Sequence, residues 1–120
     1  MAARYVLRKH PKSEGVFQLL DGRIIILEAS TKEVNGTYPL FYREGLSLSL
    51  PDLFGIAKDK EEAERRLYDY ARRIAVVELN NFRNELKVMG TLKRNEDFRE
   101  GDYLDDQTGL AAKVNEAVPA

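Results

Sequence analysis

The rhythm of hydrophobic and polar positions changes near residue 58 of this 120-residue chain. Before that point, short apolar runs alternate with Gly, Pro, Asn and Asp, a pattern typical of strands joined by tight turns. From Lys58 to Met89 there is no Gly or Pro, and apolar residues recur every three or four positions, which predicts one long helix. We therefore predict an α+β fold, in which an antiparallel meander of about five strands (residues 3–50) is packed by one helix over about residues 58–89.

Turn-forming residues separate the predicted strands, among them the hairpin pairs Asp21-Gly22 and Asn35-Gly36. These strands span Arg4–Lys9, Val16–Leu20, Arg23–Ala29, Thr37–Arg43 and Leu46–Leu50. Because Arg23–Ala29 is apolar on both faces, we predict that it lies at the centre of the sheet and is covered on both sides. Pro39 cannot donate to a strand ladder and predicts a bulge or an edge nearby. Leu46–Leu50 alternates strictly between Leu and Ser, which predicts a half-buried strand that ends at Pro51.

The long helix carries two different apolar patterns. It begins with a capping-box signature, Asp59 followed by Glu62, and its first half has a stripe suited to packing on a sheet. Its second half has the 4-3-4-3 spacing of a helix–helix seam, formed by Ala75, Leu79, Phe82, Leu86 and Met89. A five-residue strand spans roughly 17 Å and thirty helical residues roughly 45 Å, so half of the helix overhangs the sheet or buries this seam elsewhere. The β-branched residues in Ile74–Leu79 leave a strand open as an alternative there.

The chain beyond about residue 92 is polar and acidic. Residues 93–107 contain six acidic and three basic side chains, with few large apolar ones. We therefore predict a single domain over residues 1–92 and an acidic, extended tail over residues 93–120. The alternative is that the tail folds back and covers the seam with Phe98, Tyr103 and Leu104.

Composition narrows the classes of function. A net charge of −1 predicts no strong attraction to nucleic acid or to an anionic membrane, and the absence of cysteine excludes disulfides and thiolate metal sites. No apolar run has the length of a signal peptide core or a membrane span, so we expect a cytoplasmic protein. The only histidine, His10, lies in a predicted loop without a second metal ligand or a nucleophile motif. We therefore expect no enzymatic activity, no cofactor and no metal.

The leading hypothesis is a non-enzymatic protein that self-associates or docks into a larger complex through the outer half of the helix and the tail. If the seam residues were left uncovered, they would form an exposed apolar strip, which usually marks an interface. Small structural components of phages and of other large assemblies have this profile of a small sheet, an overlong helix and a polar tail.

The alternative hypothesis is a small nucleic-acid-binding or antitoxin-like regulator. Candidate phosphate contacts near the N-terminus are Arg4, Arg8, Lys9 and Lys12. The arginines of the helix lie three or four residues from acidic side chains, which favours ion pairs within the helix. The segment LSLPDLFGIAKDKEEAERRL (residues 48–67) resembles the centre of HicB-type antitoxins, in which a strand ending in Pro-Asp-Leu-x-Gly precedes an acid-rich helix. That family has a further strand before the helix, for which the gap here is too short.

Overall fold

The structure, a computed structural model, describes residues 3–45 and 50–111. It confirms the α+β class, with one long helix packed on a sheet of six strands. The strands are β1 (Tyr5–Lys9), β2 (Val16–Asp21), β3 (Ile24–Thr31), β4 (Tyr38–Glu44), β5 (Asp52–Ala57) and β6 (Leu104–Asp106). The helices are α1 (Lys60–Val88) and the single turn α2 (Glu100–Tyr103), and a 3-10 turn spans Asn95–Asp97.

The sheet has the order β5-β4-β3-β2-β1-β6. The first five strands form the predicted antiparallel meander, whereas β6 pairs in parallel with β1. A tight turn at Gly22 joins β2 to β3, where a positive φ of 63° suits a residue without a side chain. Asn35 and Gly36 form a second such turn before β4.

Strand β3 is internal, as predicted, but within residues 3–45 and 50–111 a helix covers only one face of the sheet. The apolar run at its start is interrupted by a register shift opposite Leu19 and Leu20, which turns Ile26 toward the core while Ile24 stays exposed. The prediction that both faces of this strand are covered was therefore wrong, because a bulge places consecutive isoleucines in different environments.

The fifth strand of the described residues lies after Pro51. Most of the predicted strand Leu46–Leu50 falls on residues 46–49, which lie outside the described residues. The pairing of β5 with β4 shifts register between Leu40 and Phe41, next to Pro39, where a bulge or edge was expected. This irregularity and Gly55 hide the strand from a search for alternating positions.

Helix α1 begins where the capping signature predicts. The carboxylate of Asp59 accepts a hydrogen bond from the Glu62 N–H at 2.8 Å, and the Glu62 carboxylate accepts one from the Lys58 N–H at 3.1 Å. The helix runs unbroken through Ile74–Leu79, which excludes the alternative of a strand there.

The core lies between α1 and one face of the sheet. Its most buried members come from every strand and from the first six turns of the helix: Tyr5, Leu7, Phe17, Leu19, Leu27, Ala29, Leu40, Ala57, Ala63, Leu67, Tyr68, Ala71, Ala75, Leu79 and Leu104. Each large side chain in such a core contributes about 1.5–3 kcal/mol by its removal from water. The alanines allow the helix to approach the strands closely.

Residues 95–106 differ from the predicted extended tail, because they form the 3-10 turn, α2 and β6. Leu104 is buried beside β1, and Asp106 accepts a hydrogen bond from the Tyr68 hydroxyl at 2.6 Å. Asp106 also accepts bonds from the N–H and hydroxyl of Thr108. One buried leucine and a network of hydrogen bonds thus hold this segment against β1 and α1, although its overall composition is that of a polar tail.

Candidate interaction surface

The predicted seam is largely occupied by the chain itself. Ala75 and Leu79 belong to the core beneath the sheet. Phe82 is half-buried and contacts Tyr5, Phe98 and Tyr103, with ring centroids 6.4, 6.4 and 5.4 Å away. The structure therefore corresponds to the alternative in which the chain folds back over the seam.

The other side of Phe82 is covered by a cation. The Arg4 guanidinium lies 4.3 Å from the centre of the Phe82 ring and also pairs with Asp21 at 3.1 Å. Leu86 is half-buried, and Met89 at the end of the helix is 74% exposed. Among the residues that the structure describes, the last turn of the seam is thus the part most exposed to a partner, and its role as an interface stays a prediction.

The four basic residues predicted as phosphate contacts do not gather on one surface. Arg4 is engaged by Phe82 and Asp21, as described above. Arg8 donates to Gln18 at 3.1 Å, and Lys9 pairs with Glu64 at 2.6 Å on the opposite, helix-covered face. Lys12 is exposed in the loop after β1. Since adjacent strand residues point to opposite faces, this group presents no continuous basic track.

His10 organises the loop that follows β1. Its Nδ1 accepts hydrogen bonds from the backbone N–H groups of Lys12 and Ser13, at 3.0 and 2.9 Å. The loop borders a depression of about 660 Å³ between the sheet and the start of α1. Lys60 at its rim is paired with Glu14. Nδ1 of His10 is therefore bound to the backbone, and two of the charges at this depression, those of Lys60 and Glu14, neutralise each other.

The sheet face opposite α1 carries a row of polar side chains across four strands. Each residue of the row is the cross-strand partner of the next; in order, they are Arg8, Gln18, Glu28 and Arg43. Gln18 is only 2% exposed, accepts from Arg8, and donates to Glu28 at 2.7 Å; Arg43 also donates to Glu28 at 2.7 Å. Burial acts to raise the pKa of Glu28, but the bonds from Gln18 and Arg43 outweigh it and hold that pKa below its ordinary value. The row is thus internally satisfied.

Beside this row, apolar residues of β4 and β5 form what we call the apolar corner. It consists of Pro39 and Phe41 on β4 and of Leu53 and Ile56 on β5, which are cross-strand neighbours. Leu40, between the two β4 residues, is buried against the helix, so Pro39 and Phe41 point to the open face. Leu53 is 57% and Ile56 59% exposed. A cluster of exposed apolar side chains on one face is typical of an interaction surface.

The apolar corner adjoins the edge of the sheet. Strand β5 is the last strand in the order, and no strand among residues 3–45 and 50–111 pairs with its outer side. Unpaired N–H and C=O groups on such an edge can pair with another extended chain. The fold holds β5 firmly in place, because Phe54 stacks on Tyr70 with ring centroids 4.8 Å apart.

One cation lies at this edge. The Arg66 guanidinium rests against Gly55, where a Cβ atom would collide with it, and its Nη1 donates to the Ile56 carbonyl at 3.3 Å. The edge therefore has a basic group near its C-terminal end and an acidic one, exposed Asp52, at its N-terminal end.

No other kind of site emerges from the described part of the chain. Within residues 3–45 and 50–111, no three His, Asp or Glu side chains are arranged to hold a metal ion. No helix in those two ranges combines the length and apolar composition needed to span a bilayer.

The apolar corner was difficult to predict from the sequence. Leu53 and Ile56 are three residues apart, a spacing that favours a helix over a strand. They share a face only because the register shift adds one residue to β5 opposite β4. To predict the corner, one would have had to recognise that Pro39-Leu40-Phe41 and the residues after Pro51 form neighbouring strands.

In comparisons with known proteins, the chain matches no family model, no curated protein and no solved structure.

Proposed function

We propose that this chain is a non-enzymatic protein-interaction module that binds a protein partner along the β5 edge and the adjoining apolar corner. The observation that carries the proposal is the coincidence of an unpaired edge with the exposed side chains of Leu53 and Ile56. An added strand would gain backbone hydrogen bonds from the edge, while side chains next to it would contact the corner.

The surroundings of the corner support this class of function. Nδ1 of His10 and the side chains of the polar row, Arg8, Gln18, Glu28 and Arg43, have hydrogen-bond partners within the chain. The corner, by contrast, has exposed apolar area with no partner of its own within the described residues. The proposal keeps the predicted class and moves its main surface from the helix seam to the sheet edge, because the chain itself occupies most of the seam.

Site-specific photo-crosslinking tests the proposal. A photoreactive amino acid is placed at Leu53 in one sample of the full chain and at Ile24 in another, and each is irradiated in an extract of the source cells. Ile24 is a matched control, since it is 59% exposed and lies at the start of β3. We expect a discrete protein adduct from position 53 and none from position 24.

The masses of the adducts identify the partner, and a second copy of the chain counts as one. Equal, diffuse labelling from both positions would contradict the proposal, because it would show that the corner binds nothing in preference to ordinary surface.

A further inference from the structure

We infer that the partner at the β5 edge is a second copy of this chain, paired antiparallel through β5 about a two-fold axis between Phe54 and Gly55. This inference rests on the proposed function and names the occupant of its surface. In this antiparallel register, the numbers of two residues that lie opposite each other add up to 109. Leu53 thus lies opposite Ile56 of the second copy, and Asp52 lies opposite Ala57.

The apolar side chains match in this register. Leu53 and Ile56 share the open face, because each is paired across the strand with an open-face residue of β4, Phe41 and Pro39 respectively. The two-fold axis joins the two apolar corners into one continuous apolar strip across the joint. Cross-strand aliphatic pairs of this kind stabilise a sheet, and the symmetry provides each pair twice.

The charges match as well. Asp52 and Arg66 both lie on the helix-covered side of β5, since Asp52 is paired with Tyr42 and Arg66 rests on Gly55. Antiparallel pairing brings the acidic end of each β5 beside the basic end of the other. Asp52 of each copy therefore approaches Arg66 of the other copy, which makes two equivalent charge pairs. No like charges lie opposite each other within the paired strands, because Asp52 is the only charged residue of β5.

A charge-complementation experiment tests both the partner and the register. Full-length wild type, Leu53→Lys and Ile56→Glu are studied separately by sedimentation equilibrium across a micromolar to millimolar series. We expect the wild type to reach twice the 13.7 kDa mass of one chain. Each variant alone should associate at least about tenfold more weakly, because a charge then faces an aliphatic side chain in both symmetric pairs.

An equimolar mixture of the two variants should recover association. In the mixed dimer the introduced lysine lies opposite the introduced glutamate, and the other pair remains Leu53 opposite Ile56. Ile24→Lys, a change at an equally exposed isoleucine away from β5, should associate like the wild type. Circular dichroism in dilute solution checks that each variant is folded. If one of them is not, the experiment is repeated with the reversed charge pair, Leu53→Glu and Ile56→Lys.

Three outcomes would overturn the inference: a wild type that is monomeric over the whole series, single variants that associate normally, or a mixture that does not recover. The crosslinking experiment separates these from failure of the proposed function. An adduct from position 53 with a different protein keeps the function and excludes the second copy, whereas no preference for position 53 removes both.

Discussion

The two sides of the sheet end in strands of different length and surroundings. At one edge, β1 is covered by β6, and Leu104, Tyr103 and Phe98 close the surface beside it. At the other edge, β5 has no neighbour in the described part of the chain, and Leu53 and Ile56 are exposed beside it. The comparison teaches that, within the described residues, the sheet ends on one side in a three-residue strand anchored by a buried leucine and on the other in a six-residue strand beside exposed apolar side chains.

The largest difference between the edges should appear when each receives the same change. Leu104→Asp places a carboxylate in a buried apolar position and should lower the free energy of unfolding by about 3–5 kcal/mol. Leu53→Asp is the matched control at the open edge, where we expect a change within about 0.5 kcal/mol. Urea denaturation at low protein concentration measures both. Similar losses in the two variants would show that the edges do not differ as described.

The next effect concerns the aromatic cover of the closed edge. Phe82→Asp removes a ring packed against Tyr5, Phe98 and Tyr103, and should lower stability by about 2–4 kcal/mol. Proteolysis within residues 95–107 should become faster while the mass in solution stays the same. Met89→Asp, at the exposed end of the same seam, should change neither quantity. A loss of association with unchanged stability would instead identify the seam as intermolecular.

A smaller effect is expected from the hydrogen bond between the Tyr68 hydroxyl and Asp106 of β6. Burial, with the hydrogen bond to Asp106, raises the pKa of Tyr68 from its ordinary value of 10.0 to about 12. Because the folded state favours the protonated phenol, its contribution to stability is complete below pH 10 and is lost as the pH rises through about 12. In a spectrophotometric titration, one of the six tyrosines should ionise near pH 12, and Tyr68→Phe should abolish that phase. Full ionisation of all tyrosines by pH 11 in the folded protein would contradict the buried contact.

The smallest effect is expected at His10. His10→Ala removes the acceptor of two backbone N–H groups in an exposed loop and should cost about 1 kcal/mol. His10→Asn, which keeps a side-chain acceptor, should lie closer to the wild type. Self-association should be unchanged in both variants, since three strands separate β1 from β5. A loss of association in His10→Ala alone would place the interface at the other end of the sheet.

The parts of the fold that depend on local chemistry were predictable from the sequence. Asp59 and Glu62 fixed the start of α1, and the pairs Asp21-Gly22 and Asn35-Gly36 marked the turns of the meander. These signals act within a few residues, so reading the chain in order finds them.

The two edges depended on contacts that sequence order conceals. Strand β6 has three residues, and it forms because Leu104 and Asp106 meet β1 and Tyr68 from a distant part of the chain. The apolar corner exists because a register shift aligns Leu53 and Ile56. Neither a three-residue strand nor a shifted one has a periodicity that a single sequence reveals.

Hydrogen exchange at two protein concentrations tests most directly the claim that β1 is covered by β6 of the same chain, whereas β5 is covered by a second copy. At low concentration, amides of Asp52–Ala57 should exchange faster than those of Ile24–Leu27, which lie inside the sheet. On raising the concentration, exchange in Asp52–Ala57 should slow markedly, while exchange in Leu104–Asp106 should stay the same. Exchange in Asp52–Ala57 that does not depend on concentration would contradict the account.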